Sequence, residues 1–72
     1  MNIYTIPKII SDMISDHAKE MLQSNETEKT FFVKGTKVQV TLALANTENK
    51  EKYKNKYLDI QKHHGHEFLY IQ

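Results

Sequence analysis

The sequence contains no cysteine, one proline and two glycines among its 72 residues. Without cysteine, a disulfide framework, a thiolate zinc site and a cysteine nucleophile are all excluded. A chain without thiols fits a reducing compartment, and we expect a cytoplasmic protein. A chain of this length has room for one hydrophobic core, so residues 1–72 are expected to fold as a single small domain. We also expect no cofactor.

Arginine is also absent: all ten basic residues are lysine, against nine acidic residues, which leaves a formal net charge of +1. Arginine supplies the planar fork that grips phosphates and guanine edges, so its absence disfavours sequence-specific reading of nucleic acid. Lysine still binds a phosphate backbone as a point charge. Weak, non-specific binding of nucleic acid therefore stays open as an alternative function.

Long apolar runs are missing as well. No apolar stretch approaches the length that spans a bilayer, and charged residues recur at helical spacing through the first 22 residues. We therefore expect no signal peptide and no membrane partner.

The clearest pattern that is present lies in residues 30–45, which read as a β-hairpin. Its second strand alternates Val38, Val40, Leu42 and Leu44 with Gln39, Thr41, Ala43 and Ala45. If Lys34 and Gly35 form a two-residue loop, Phe31 pairs with Val38. Phe31 then joins the core face, and Phe32 lies on the opposite, outer face.

Two helices are predicted around this hairpin. The first begins at Pro7 and has an apolar stripe formed by Ile10, Met13, Ile14, Ala18, Met21 and Leu22. The second is capped by Asn46, carries a stripe of Tyr53, Tyr57, Ile60 and His64, and ends at Gly65.

Strands are predicted at both ends of the chain. Residues 66–72 are apolar on both sides, which is typical of a strand in the middle of a sheet. With residues 1–5 as a first strand, the order is β-α-β-β-α-β, a compact ferredoxin-like split βαβ. If residues 1–5 are a tail, the order is α-β-β-α-β. Either version is an α+β fold with two helices on one face of a three- or four-stranded, mainly antiparallel sheet.

Three histidines cluster at His63, His64 and His66, which suggests a metal site or acid–base chemistry. Neighbouring helical side chains diverge by about 100°, and no established metal-ligand spacing is present. We therefore predict no metal and no catalytic residues, with His64 and His66 as the only candidate ligands. A small histidine-dependent nuclease or metal-dependent hydrolase is therefore the weakest of three functional hypotheses. We expect that the protein is not an enzyme.

Lysine and tyrosine alternate after the hairpin, in a pattern found in nucleic-acid binding proteins. The candidate phosphate-binding residues are Lys50, Lys52, Lys54 and Lys56. They flank a stripe predicted to be buried, where lysine stems commonly cover apolar neighbours. Nucleic-acid binding through this segment is accordingly the second hypothesis.

The preferred hypothesis is a protein-interaction module. Apolar side chains on the outer sheet face would meet water, and such patches usually mark contact surfaces. The predicted partner-binding residues are Phe32, Lys37, Gln39, Thr41, Phe68 and Tyr70. The partner would be another protein or a second copy of the chain. Short, lysine-rich proteins of this kind are frequent among phage and mobile-element regulators and inhibitors.

Overall fold

The computed structural model describes residues 8–72. The elements are α1 (Lys8–Ser24), β1 (Glu28–Phe32), β2 (Gln39–Leu44), α2 (Thr47–Lys52), β3 (Asp59–His63) and β4 (His66–Ile71). All neighbouring strands are antiparallel, in the order β1-β2-β4-β3. Two helices packed with a four-stranded antiparallel sheet confirm the predicted α+β class. The predicted first strand, residues 1–5, lies outside the described residues.

The first helix supplies one side of the hydrophobic core. Ile14, Ala18 and Met21 are fully buried, as their helical spacing predicted. They pack against residues from three strands: Phe31, Val40, Leu42, Phe68 and Tyr70. Each fully buried large side chain contributes roughly 1.5–3 kcal/mol, so this single contact layer holds the fold together. We call the sheet side that meets α1 the core face.

The β1–β2 register differs from the prediction by two residues. Phe31 pairs with Val40 rather than with Val38, and Phe32 pairs with Gln39. Because side chains alternate with a period of two, a shift of two residues leaves every side chain on its predicted face. Phe31 is therefore in the core and Phe32 is on the outer face, as expected.

The shift arises from a longer turn. The Thr36 N–H donates to the Val33 carbonyl oxygen at 3.0 Å, and Gly35 takes a positive φ of 78° between them. The Val38 N–H then donates to Thr36 Oγ1 at 3.0 Å. A threonine hydroxyl that bonds local backbone groups favours a turn over a strand, so Thr36 extends the loop beyond two residues.

The second helix is shorter than predicted. Asn46 caps it as expected, since its side chain accepts a bond from the Asn49 N–H at 2.7 Å. The helix ends at Lys52, however, and Asn55 takes a left-handed φ of 65°, which a helix cannot continue through. The predicted helix over residues 53–64 is wrong.

The residues beyond that point form the edge strand β3 and a tight turn. His63 pairs with His66, and His64 and Gly65 between them have φ of 53° and 82°. Two consecutive positive φ values define a type I′ hairpin turn. Gly65 is thus the second residue of a hairpin turn and not a helix stop. The apolar strand β4 lies between β2 and β3, in the middle of the sheet as predicted.

A buried amide ties α2 to the sheet. The Asn49 side chain is only 1% exposed, and its Nδ2 donates to the carbonyl oxygens of Thr27 at 3.1 Å and Leu44 at 2.9 Å. These carbonyls belong to the loop before β1 and to the end of β2. One buried side chain therefore joins three segments, and its amide is paired as buried polar groups usually are.

Replacing Asn49 with alanine is expected to lower the free energy of unfolding by about 1–3 kcal/mol, because the two hydrogen bonds from its buried amide to backbone carbonyl oxygens are lost. The measurement is urea denaturation followed by circular dichroism. Lys50→Ala, on the exposed side of the same helix, is the matched control and should change stability by less than about 0.5 kcal/mol. Equal losses in the two variants would contradict this account of Asn49.

Candidate interaction surface

The outer face is the sheet side opposite α1. On β1 it carries Glu28, Thr30 and Phe32, which alternate with the core-facing Phe31. Across the β1–β2 pair, the hydroxyls of Thr30 and Thr41 lie 2.9 Å apart on this face. The row of outer-face residues is therefore continuous from β1 into β2.

The structure divides the predicted partner-binding residues. Phe32, Gln39 and Thr41 lie on the outer face, and Lys37 is exposed in the turn beside them. The other two, Phe68 and Tyr70, were predicted on the outer face and lie on the core face instead.

Phe68 and Tyr70 belong to the core, with 0% and 2% of their surface exposed. Phe68 pairs with Leu44 and Tyr70 with Leu42, so both share the face of the core-directed β2 residues. Leu69, which alternates with them, lies on the outer face. Because all of these β4 side chains are apolar, only pairing with β2 decides which of them meet α1.

One end of the outer face is covered and the other is open. Ala43 and Leu69, near the Glu28 end, are fully buried, whereas Phe32 at the opposite end is 60% exposed. Phe32 is the only phenylalanine or tyrosine classed as exposed among residues 8–72. An open apolar ring beside polar neighbours is the main feature of this surface.

Glu28 links the covered end to the α2 segment. Its carboxylate accepts hydrogen bonds from Lys52 Nζ at 2.8 Å and from Tyr53 Oη at 2.5 Å. These two bonds lower the pKa of Glu28, that of Lys52 contributing most. The same bond to Glu28 raises the pKa of Tyr53. The network holds the end of α2 against the outer face.

The four lysines of the nucleic-acid hypothesis are not equivalent. Lys52 is engaged with Glu28, and its ammonium also lies 5.3 Å from the centre of the Tyr53 ring. Lys50, Lys54 and Lys56 are exposed and have no ion-pair partner in the described part of the chain. Three lysines remain available to a phosphate backbone, and nucleic-acid binding through them stays a prediction.

The histidine cluster makes structural contacts. His64 Nε2 lies 2.9 Å from the carbonyl oxygen and 3.1 Å from the hydroxyl of Ser15, so the hairpin turn is bonded to α1. Because the carbonyl only accepts, Nε2 carries the proton. His63 Nε2 lies 3.0 Å from Gln61 Oε1.

Among residues 8–72, no further metal-ligating side chain completes a site with these histidines. Between Lys8 and Gln72, no three histidine, aspartate or glutamate side chains are placed to hold one metal ion. The same residues enclose no pocket. The predicted candidates His64 and His66 thus stand at a hairpin turn with no visible third ligand.

His17 makes a contact with Phe31 that was not predicted from the sequence. Its ring stacks on Phe31 with 3.9 Å between ring centres, and its Nδ1 is buried with no hydrogen-bond partner among the described residues. Burial lowers the pKa of His17, the nearby Lys29 lowers it further, and Asp16 acts in the opposite direction. Burial also lowers the pKa of His63.

Comparisons of the chain with protein families, with curated proteins and with solved structures find no match. Among residues 8–72, neither helix has the length and apolar character needed to cross a membrane.

Acidification below the ordinary histidine pKa of 6.5 is expected to destabilise the fold. His17 and His63 have lowered pKa values when folded, so the unfolded chain takes up protons first and stability falls as the pH drops from 6.5 toward the folded values. Glu28 adds its own loss only below its ordinary value of 4.5.

The measurement is the free energy of unfolding between pH 8 and pH 5, in roughly half-unit steps. His17→Phe keeps a ring against Phe31 and should flatten the profile. A double variant with His63→Phe should flatten it further. A double variant with the slope of the parent protein would show that these histidines do not carry the dependence.

Proposed function

We propose that this chain is a non-enzymatic protein-interaction module whose working surface is the open end of the outer sheet face. The observation that carries the proposal is the 60% exposure of Phe32. The neighbouring Phe31 is 8% exposed, so the fold buries one member of the Phe-Phe pair and presents the other. Aromatic side chains are enriched at protein interfaces relative to the rest of the surface.

The surroundings of Phe32 support this function. Gln39 pairs with it across the hairpin, Thr41 lies on the same face, and Lys37 is exposed in the adjoining turn. An apolar centre with a polar rim is the usual composition of a protein–protein contact. The small size and near-neutral charge suit a cytoplasmic regulator or inhibitor, of the kind that phages and mobile elements encode.

Photo-crosslinking in the cells of origin tests the surface. With a benzophenone side chain in place of Phe32, we expect a discrete protein adduct. The same group in place of Ile9, which is 71% exposed on α1, is the matched control and should give none. Equal adducts at both positions, or none at either, would overturn the proposal.

Phe32→Ser should remove the interaction without unfolding the protein. Because Phe32 is mostly exposed, we expect a change in stability of less than about 1 kcal/mol. Phe31→Ser is the matched comparison and should cost roughly 3–5 kcal/mol, since it empties part of the core. Thermal unfolding measures both. A large loss of stability in Phe32→Ser would mean that this ring serves the fold and not a partner.

A further inference from the structure

The strand β1 lies at one edge of the sheet, and on the side away from β2 its backbone groups can pair with another strand. The Val33 N–H bonds the Val38 carbonyl oxygen and the Leu44 N–H bonds that of Thr27, each at 2.8 Å. In an antiparallel ladder, residues that bond the neighbouring strand alternate with residues that point away from it. Thr30 and its neighbours two positions away, Glu28 and Phe32, therefore direct their backbone groups outward.

The two edges of the sheet differ in how they are protected. The edge strand β3 carries Asp59 and Lys62, which are exposed and have no ion-pair partner among the described residues. Free charges of this kind discourage pairing with another strand. On β1, Glu28 is bonded to Lys52, Lys29 is paired with Glu20, and the rest of the strand is uncharged.

We propose that the partner of this edge is a second copy of the chain, paired antiparallel through β1 about a two-fold axis at Thr30. This pairing rests on the proposed interaction function and identifies the partner as a second copy of the chain. In this register all outward groups meet, because Thr30 faces Thr30 of the second copy and Glu28 faces Phe32 of the second copy. Two four-stranded sheets then form one continuous sheet with an isologous interface.

The register also places complementary groups opposite each other. Phe32 falls across from Glu28 of the second copy, where Tyr53 donates to the carboxylate, so the exposed ring gains an aromatic neighbour. Beyond the two ends of β1, the same register brings Lys34, in the turn after the strand, to the level of Glu26 of the second copy, in the loop before it. Both side chains are exposed, and the Glu26 carboxylate accepts a hydrogen bond from Ser24 Oγ at 2.6 Å. The two-fold axis makes each of these contacts twice.

Charge reversal tests the register. Lys34→Glu alone and Glu26→Lys alone should each weaken the dimer about tenfold, because two attractive pairs become two repulsive ones. The double variant restores both pairs and should recover the parental affinity. Lys50→Glu, an equal charge change on α2, is the matched control and should have no effect. The measurement is sedimentation equilibrium over a range of concentrations.

The absence of cysteine permits a second test. Antiparallel bonded pairs place Cα atoms about 5.5 Å apart, within the range that a disulfide spans. Thr30→Cys should therefore give a covalent dimer under mild oxidation, and Ile60→Cys on β3 should stay monomeric. More dimer from Ile60→Cys than from Thr30→Cys would overturn the proposal.

The remaining outcomes also decide. A parent protein that is monomeric at every concentration, or a charge-reversed double variant that fails to recover, refutes the two-fold pairing. If Phe32 crosslinks to a different protein while the chain stays monomeric, the interaction function holds and this inference fails. If Phe32 crosslinks to nothing, the proposed function and this inference both fail.

Discussion

The rest of the structure depends on the placement of β4 in the middle of the sheet. Its side chains are apolar on both faces: Phe68 and Tyr70 are buried against α1, and Leu69 is buried on the outer face. A strand of this kind needs a neighbour on each side and cover on both faces. Pairing with β2 satisfies one side, so residues 59–63 must supply the other. The helix after β2 is accordingly short, since the chain has to reach the far side of β4 within a few residues.

Local patterns predicted the elements whose pairing partners are close in sequence. The stripe of α1 was predicted because helical spacing does not depend on distant contacts. The faces of Phe31 and Phe32 were predicted despite a wrong loop length, since a shift of two residues preserves the alternation. The length of the loop is set by the hydrogen bonds of Thr36. These were not predictable from the pattern, because they depend on one side chain competing for backbone groups.

Long-range pairing defeated the prediction elsewhere. Residues 59–63 are an edge strand whose side chains are mostly polar, so their sequence carries little strand signal, and Tyr53, Tyr57 and Ile60 mimic a helical stripe. Gly65 was equally ambiguous. A glycine with positive φ can end a helix or complete a type I′ turn, so it supported the wrong prediction of a helix up to residue 64. Residues 68–71 of β4 are all apolar, so the sequence could not show that Leu69, and not Phe68, faces outward. The sheet faces of the side chains were therefore predicted correctly on the hairpin and wrongly on β4.

The position of Phe32 follows from how unequally the two ends of the outer face are used. Tyr53 reaches Glu28 and closes one end, but the short connection from β2 to β3 leaves no helix for the other. Stability alone would favour a polar residue at such an open position, because an exposed ring gains nothing from folding. The hairpin nevertheless directs Phe32 there, beside an edge whose outward backbone groups and charges have, among residues 8–72, no strand partner and no unpaired ion. An apolar ring and an unprotected strand edge are each liabilities in a monomer, and the proposed contact would remove both.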